Sequence, residues 1–226
     1  CWLTINTHIG EDEAPRQLMT ELESALRAKI ADLSKPVPPL SDTPSVTDLR
    51  YPMPYEVWEA NLNHAITKMQ AGELNKVVLS RVCEANFNAP IHVDRALDFL
   101  AEKYPETIRF LFEPRPNHAF YGATPELLAH VDGLSLQTMA LAGSIKRGNT
   151  SEETRKLADE LLDSEKDRYE HQLVVDKITE RLSPLTETLT IAETDVMTLS
   201  NIQHLHTPIT GTLAQTTGIL PIIEAL

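Results

Sequence analysis

Apolar residues at Leu18, Leu22, Leu26, Ile30 and Leu33 repeat at helical spacing and predict an amphipathic helix over 14–33. Six of the 15 prolines then fall between Ser34 and Pro54, a stretch so poor in backbone donors that it reads as a linker or an extended strap. This divides the chain into 1–54, helix and strap, and 55–226, the main domain. Tyr55, Trp58, Leu62, Ile66 and Met69 resume the helical period, and Gly72 supplies a stop. From Lys76 to Val82 the period drops to two in a β-branched context, which predicts a strand. A short helix opens at Asp94. Strands are expected over 107–113, 118–122, 126–131 and 134–142, with turns at Pro114–Asn117 and Asp132-Gly133. Helical patterns follow from Ser151 and over 164–182, then strand-like 189–199 and 202–206. Runs of strands followed by helices, without strict alternation, predict an α+β fold.

Composition narrows the chemistry. The chain has 226 residues and a net charge of −13, a field that repels a phosphate backbone, so nucleic acid is not an expected partner. An anionic small substrate remains compatible if a local cation, such as a divalent metal, is held by carboxylates. No apolar run reaches the roughly 18 residues of a membrane helix, and no membrane association is expected. Cys1 and Cys83 lie far apart without CxxC spacing, and no charged n-region precedes an apolar stretch, which fits a reduced cytoplasmic setting. Opening on Cys1 and stopping on apolar Ile219–Leu226, the chain reads as cut at both ends. GxGxxG, GxxxxGK[ST] and HExxH are absent, which removes the usual phosphate cradles and zinc motif.

Within 165–171, Asp167, Glu170 and His171 share a helical face that continues into Val174, Ile178 and Leu182. Carboxylates in register with an apolar stripe need a cation, a donor or a proton. Magnesium is one solution, and an arginine pair or a cap is an equal alternative. Lys76 either snorkels to solvent at a sheet edge or, if covered, loses its proton readily enough to act as a base. Glu126, after Thr124-Pro125, is an exposed turn residue or a positioned acid. His204 and His206 alternate to one side of a strand, where a satisfied core histidine is the default. Gly143, between Leu141-Ala142 and Ser144, is a simple turn residue or a place where a ligand approaches the backbone.

Five stretches in order, Asn75–Arg81, Gly122–Leu128, Ala140–Ser144, Lys166–His171 and Asn201–Leu205, resemble the chorismate-utilising enzymes, and within them the isochorismate synthases. The resemblance runs from about Tyr55 to the C-terminus. It implies an α/β sandwich of two antiparallel sheets flanked by helices, here incomplete at the C-terminus, so that 55–226 is a partial chorismate-binding catalytic domain. By position it implies Lys76 as the base that activates water and Glu126 as the acid for the departing hydroxyl. Leu141, Gly143, Ser144 and His204 would contact chorismate, with Glu170 and Asp167 at a Mg2+ ion. Ala142 stands where aminodeoxychorismate-forming relatives typically carry lysine, which favours water as the nucleophile. Salicylate synthases, which go on to eliminate pyruvate, are the nearest alternative. A catalytically silent chorismate-binding module and an unrelated α+β interaction domain are the others. As the family continues beyond this length with further substrate and metal residues, the chain alone is expected to be inactive or nearly so.

Overall fold

The computed structural model describes residues 15–35 and 43–226, so Cys1 and part of the strap lie outside the described residues. The chain divides into two units, Cys1–Thr43 and Pro44–Leu226. The first carries α1 (Pro15–Leu33), which has proline at its first position, where the missing N–H costs nothing. Met19 and Ile30 are exposed on it.

The second unit begins with β1 (Val46–Arg50), formed within the expected strap, then α2 (Tyr55–Gln70) and β2 (Glu84–Phe87), which pairs antiparallel with β1. The stop after α2 is made by Gly72 at φ 73°, with the amide of Glu73 donating to the Lys68 carbonyl at 2.9 Å. The strand expected at Lys76–Val82 does not form. The segment carries the alternation of a strand, but among the described residues no neighbour pairs with it, and Val78 is 80% exposed. Extended preference gives direction to a backbone; a ladder needs a partner.

Next come α3 (Val93–Lys103) and a hairpin of β3 (Ile108–Arg115) and β4 (His118–Thr124). Asn117 takes the left-handed conformation in its turn, and Phe110 packs on Phe120 with ring centroids 5.1 Å apart. The main sheet comprises β5 (His130–Asp132), β6 (Ser135–Lys146), β7 (Thr186–Ile191), β8 (Asp195–Thr198) and β9 (Ile202–Leu213). All pairings are antiparallel in the order β5-β6-β9-β7, and β8 takes the other half of the β9 edge. Between β6 and β7 lie α4 (Ser151–Asp163) and α5 (Glu165–Leu182), and α6 (Ile219–Ala225) closes the chain. The architecture is α+β, as expected.

Strand β9 reads buried at Gln203, Leu205, Thr207 and Ile209, with His204 and His206 on the alternate face. Its buried face and that of β6 (Leu136, Thr138, Ala140) lie against α4 and α5. Leu136, Leu182, Leu213 and Ile222 form the centre of this core, each worth roughly 1.5–3 kcal/mol of burial. Gln203 is tolerated there because its amide donates to the Thr154 carbonyl at 3.1 Å and accepts from Thr198 at 3.0 Å. The opposite face, with Leu141, Ser144, His204 and His206, carries the polar chemistry.

Candidate functional site

The site is organised by one irregularity in β6. Ala142 pairs with Leu205 on the helix-covered face, yet the next pair is Ser144 with His204 on the open face, because Gly143 is an extra residue at φ 76°. In a regular strand Ser144 would fall on the same side as Ala142. Gly143 is therefore a bulge inside a strand, and not the simple turn that the sequence also allowed. A Cβ on Gly143 would lie 3.2 Å from the Asp167 Cβ and 3.3 Å from Leu205 Cδ1, so the α5 backbone approaches closely only because this residue is glycine.

On the open face, Ser144 Oγ lies 2.8 Å from His204 Nδ1. His204 is held below its ordinary pKa by burial, which outweighs the hydrogen bond to the Gly143 carbonyl and the charge of Glu126. Glu126 thus stands within electrostatic reach of the histidine. Its own segment is fixed by two contacts: its amide donates to Thr124 Oγ1 at 3.2 Å, and buried Thr138 donates to the Leu128 carbonyl at 2.7 Å. Leu141 shares this face and pairs across the ladder with His206, which contacts Asp195 at 2.8 Å.

On the helix side, Ser164 caps α5, accepting from the Asp167 amide and donating to Asp167 Oδ2 at 2.6 Å. One turn on, Glu170 Oε1 lies 3.0 Å from Lys76 Nζ. His171, only 2% exposed, lies 3.2 Å from the Ala142 carbonyl through Nδ1 and 2.7 Å from Thr207 Oγ1 through Nε2. Burial lowers its pKa, against the Ala142 bond, and the charges of His206 and Lys76 lower it further.

The described contacts join the expected site residues into two groups. Ser144 and His204 meet on the open face, within electrostatic reach of Glu126 and with Gly143 between them and Asp167; Lys76 and Glu170 meet beside α5. Lys76 sits on an unpaired extended segment and not at the start of a strand. A cleft of about 670 Å³ borders Lys76, Val77 and Val78 on one side and Leu173, Val174 and Ile178 on the other. It does not include Glu126, Ser144 or His204, so the site is defined by the polar groups and not by this cleft.

Among the described residues, no three His, Cys, Asp or Glu side chains converge as a metal cage. Asp167 and Glu170 nevertheless offer only hard oxygen donors, one helical turn apart, which meets the one or two carboxylates magnesium takes from protein. Both carboxylates already have partners, Glu170 Oε1 with Lys76 and Asp167 with Ser164 and Lys166, so a metal would take the place of these contacts.

The family profile described as chorismate binding enzyme matches residues 1–226. The chain belongs to the chorismate binding enzymes. Relatives include the salicylate biosynthesis isochorismate synthase of Pseudomonas aeruginosa, 38% identical over 75% of this chain and 35% of its own length. The isochorismate synthase MenF of Pasteurella multocida is 33% identical over 75% of this chain and 39% of its own. The solved structure of the menaquinone-specific isochorismate synthase MenF of Escherichia coli superposes with a TM-score of 0.80 at 26% identity, covering 90% of this chain and 48% of that one. The chain thus spans little more than a third of the curated relatives it matches. In this chorismate binding enzyme three motif segments, Ala140–Ser144, Lys166–His171 and Asn201–Leu205, meet at the Gly143 bulge. Gly122–Leu128 brings Glu126 within electrostatic reach of His204, and Asn75–Arg81 supplies Lys76 to Glu170 of α5.

Two further residues hold the site together: Thr138, whose only sequence signal is a polar residue in an alternating strand, and His171, whose helical face the sequence shows but whose partners Ala142 and Thr207 it does not.

Proposed function

We propose that the protein is an isochorismate synthase, converting chorismate to isochorismate by adding water at C2 with loss of the C4 hydroxyl. The observation that carries this reading is the Ser144–His204 pair at the bulge within electrostatic reach of Glu126, together with the Lys76–Glu170 pair beside α5. Lys76 takes a proton from the attacking water; Glu126 gives one to the departing C4 hydroxyl, which leaves as water. The double bonds shift between the two carbons, so atoms and charge balance without an external reductant or oxidant. Leu141, Gly143, Ser144 and His204 contact the substrate. Glu170, with Asp167 beside it, would hold Mg2+, which when bound supplies positive charge for the substrate carboxylate in a protein of net charge −13. The absence of lysine at 142 and the names of the relatives support water as the nucleophile. The two widely separated cysteines, with Cys83 free and exposed, support the cytoplasm as its compartment.

The test is a magnesium-dependent assay with chorismate, on this chain and on the whole polypeptide its gene encodes, following isochorismate and pyruvate together. Isochorismate without pyruvate is the expected result. Pyruvate with salicylate would make it a salicylate synthase; no turnover by the folded whole polypeptide would reject the activity. Glu126→Gln should lower kcat by about 10²–10⁴-fold with folding retained.

A further inference from the structure

His171 stands beside the groups assigned above and touches none of them through its side chain. Its two ring nitrogens face different partners, and the chemistry of one fixes the other. A carbonyl oxygen only accepts, so Nδ1 carries the proton donated to Ala142 O. In the neutral ring Nε2 is then bare and accepts from the Thr207 hydroxyl. Thr207 Oγ1 in turn is left to accept from Thr194 at 2.8 Å. The chain of donors runs one way, Thr194 to Thr207 to His171 to Ala142, and every member is satisfied.

Ala142 is the last regular residue before the bulge. The helix therefore grips β6 at two consecutive residues: His171 holds the Ala142 carbonyl, and Asp167, four residues earlier on the same face, lies against Gly143. What the grip fixes appears on the opposite face, where Ser144, the residue after the bulge, places its Oγ 2.8 Å from His204 Nδ1.

We infer that His171 is a positioning residue, whose Nδ1–H to Ala142 holds the Gly143 bulge and so sets the ring of His204 on the open face. The inference rests on the proposed chorismate chemistry for its kinetic arm alone; its spectroscopic arm stands without it.

Asparagine places an amide donor near the position of Nδ1, and glutamine near that of Nε2, so the two variants separate the grip on Ala142 from the contact with Thr207. With 15N-labelled histidine, His171→Gln should shift the His204 ring resonances, and His171→Asn should leave them near wild type. In the whole polypeptide with chorismate and magnesium, His171→Gln should lower kcat on the order of 10–100-fold, the cost of a displaced catalytic neighbour, and His171→Asn should restore most of it. A residue that only fills the core would affect both variants alike. Equal His204 spectra in the two variants, or rescue by glutamine and not by asparagine, would overturn the inference. Should neither variant fold, wild type still decides: His171 must show the Nδ1–H tautomer in its ring 15N shifts, and the Nε2–H tautomer refutes the grip. Loss of all turnover in wild type with the expected tautomer and variant spectra would reject the chemistry and leave the positioning role standing.

Discussion

Gly143→Ala tests the bulge most directly. Two costs apply. An alanine at φ 76° carries the left-handed penalty, about 1–2 kcal/mol. Its Cβ would also meet the Asp167 Cβ at 3.2 Å, Leu205 Cδ1 at 3.3 Å and the Asp167 carbonyl at 3.4 Å. Side-chain atoms yield readily, but Asp167 is fixed by the Ser164 cap, so the helix backbone must move, a strain in the overpacking range of roughly 1–3 kcal/mol. Together these remove about 2–5 kcal/mol, a large fraction of the 5–15 kcal/mol typical of a folded protein. Gly133→Ala is the matched control. Gly133 has φ 59° and nothing within 4 Å of an added Cβ, so it carries the conformational penalty alone. Urea denaturation of the two variants should therefore differ, with the Gly143→Ala midpoint lower by roughly 0.3–1.5 M for a slope of about 2–3 kcal/mol/M. If the two midpoints coincide, α5 does not press on the bulge and the argument built on that contact fails. The strain could also be relieved by straightening β6, which would carry Ser144 toward the helix face and break its contact with His204; the His204 ring spectrum reports that.

Stability should fall on acidification before the carboxylates titrate. His171 and His204 both have lowered pKa values in the fold, so the unfolded chain binds their protons more tightly and the stabilisation present above about pH 6.5 is lost as pH falls toward their folded values. A urea midpoint that is flat or rises between pH 7.5 and 5.5 contradicts this, and His204→Gln should flatten the slope. Thr138→Val removes the donor to the Leu128 carbonyl at 2.7 Å and should cost about 1–3 kcal/mol by calorimetry, with a reduced kcat because the Glu126 segment loosens; an unchanged kcat would detach Thr138 from the site. Lys76→Met breaks a pair whose side chains are 25% and 37% exposed, so thermal melting should show no more than about 1 kcal/mol of loss while turnover collapses. A large stability loss with turnover kept would make the pair structural.

The elements that were legible in the sequence are those whose periodicity is enforced by one covered face. The α5 pattern and the alternation of β9 agree with the structure because helix and sheet bury those residues against each other. Lys76–Val82 has equally good alternation and no ladder, since pairing depends on a neighbour that local pattern does not encode. The short β1 was hidden by the prolines around it, and α6 by a run of apolar residues without period. In the site, residue types marked segments that the fold brings to α5 and the β6–β9 pair, but the bulge was not readable: a glycine between Ala142 and Ser144 fits a turn as well as a strand. Only the register with β9 reveals that it moves Ser144 from one face to the other.

That displacement explains why the motifs need one another. A carboxylate at 126, in the loop after β4, and a histidine at 204, in β9, come from segments far apart in the chain, and neither is positioned by its own segment alone. Thr138 ties the Glu126 segment to β6, the bulge in β6 presents Ser144 and a carbonyl to His204, and α5 holds that bulge through Asp167 and His171. The same helix carries Glu170 to Lys76. A change in the seating of α5 would therefore reach both groups together, through the bulge on one side and the ion pair on the other, and variants at Asp167 or His171 should disturb the open face more than their distance from it along the chain suggests.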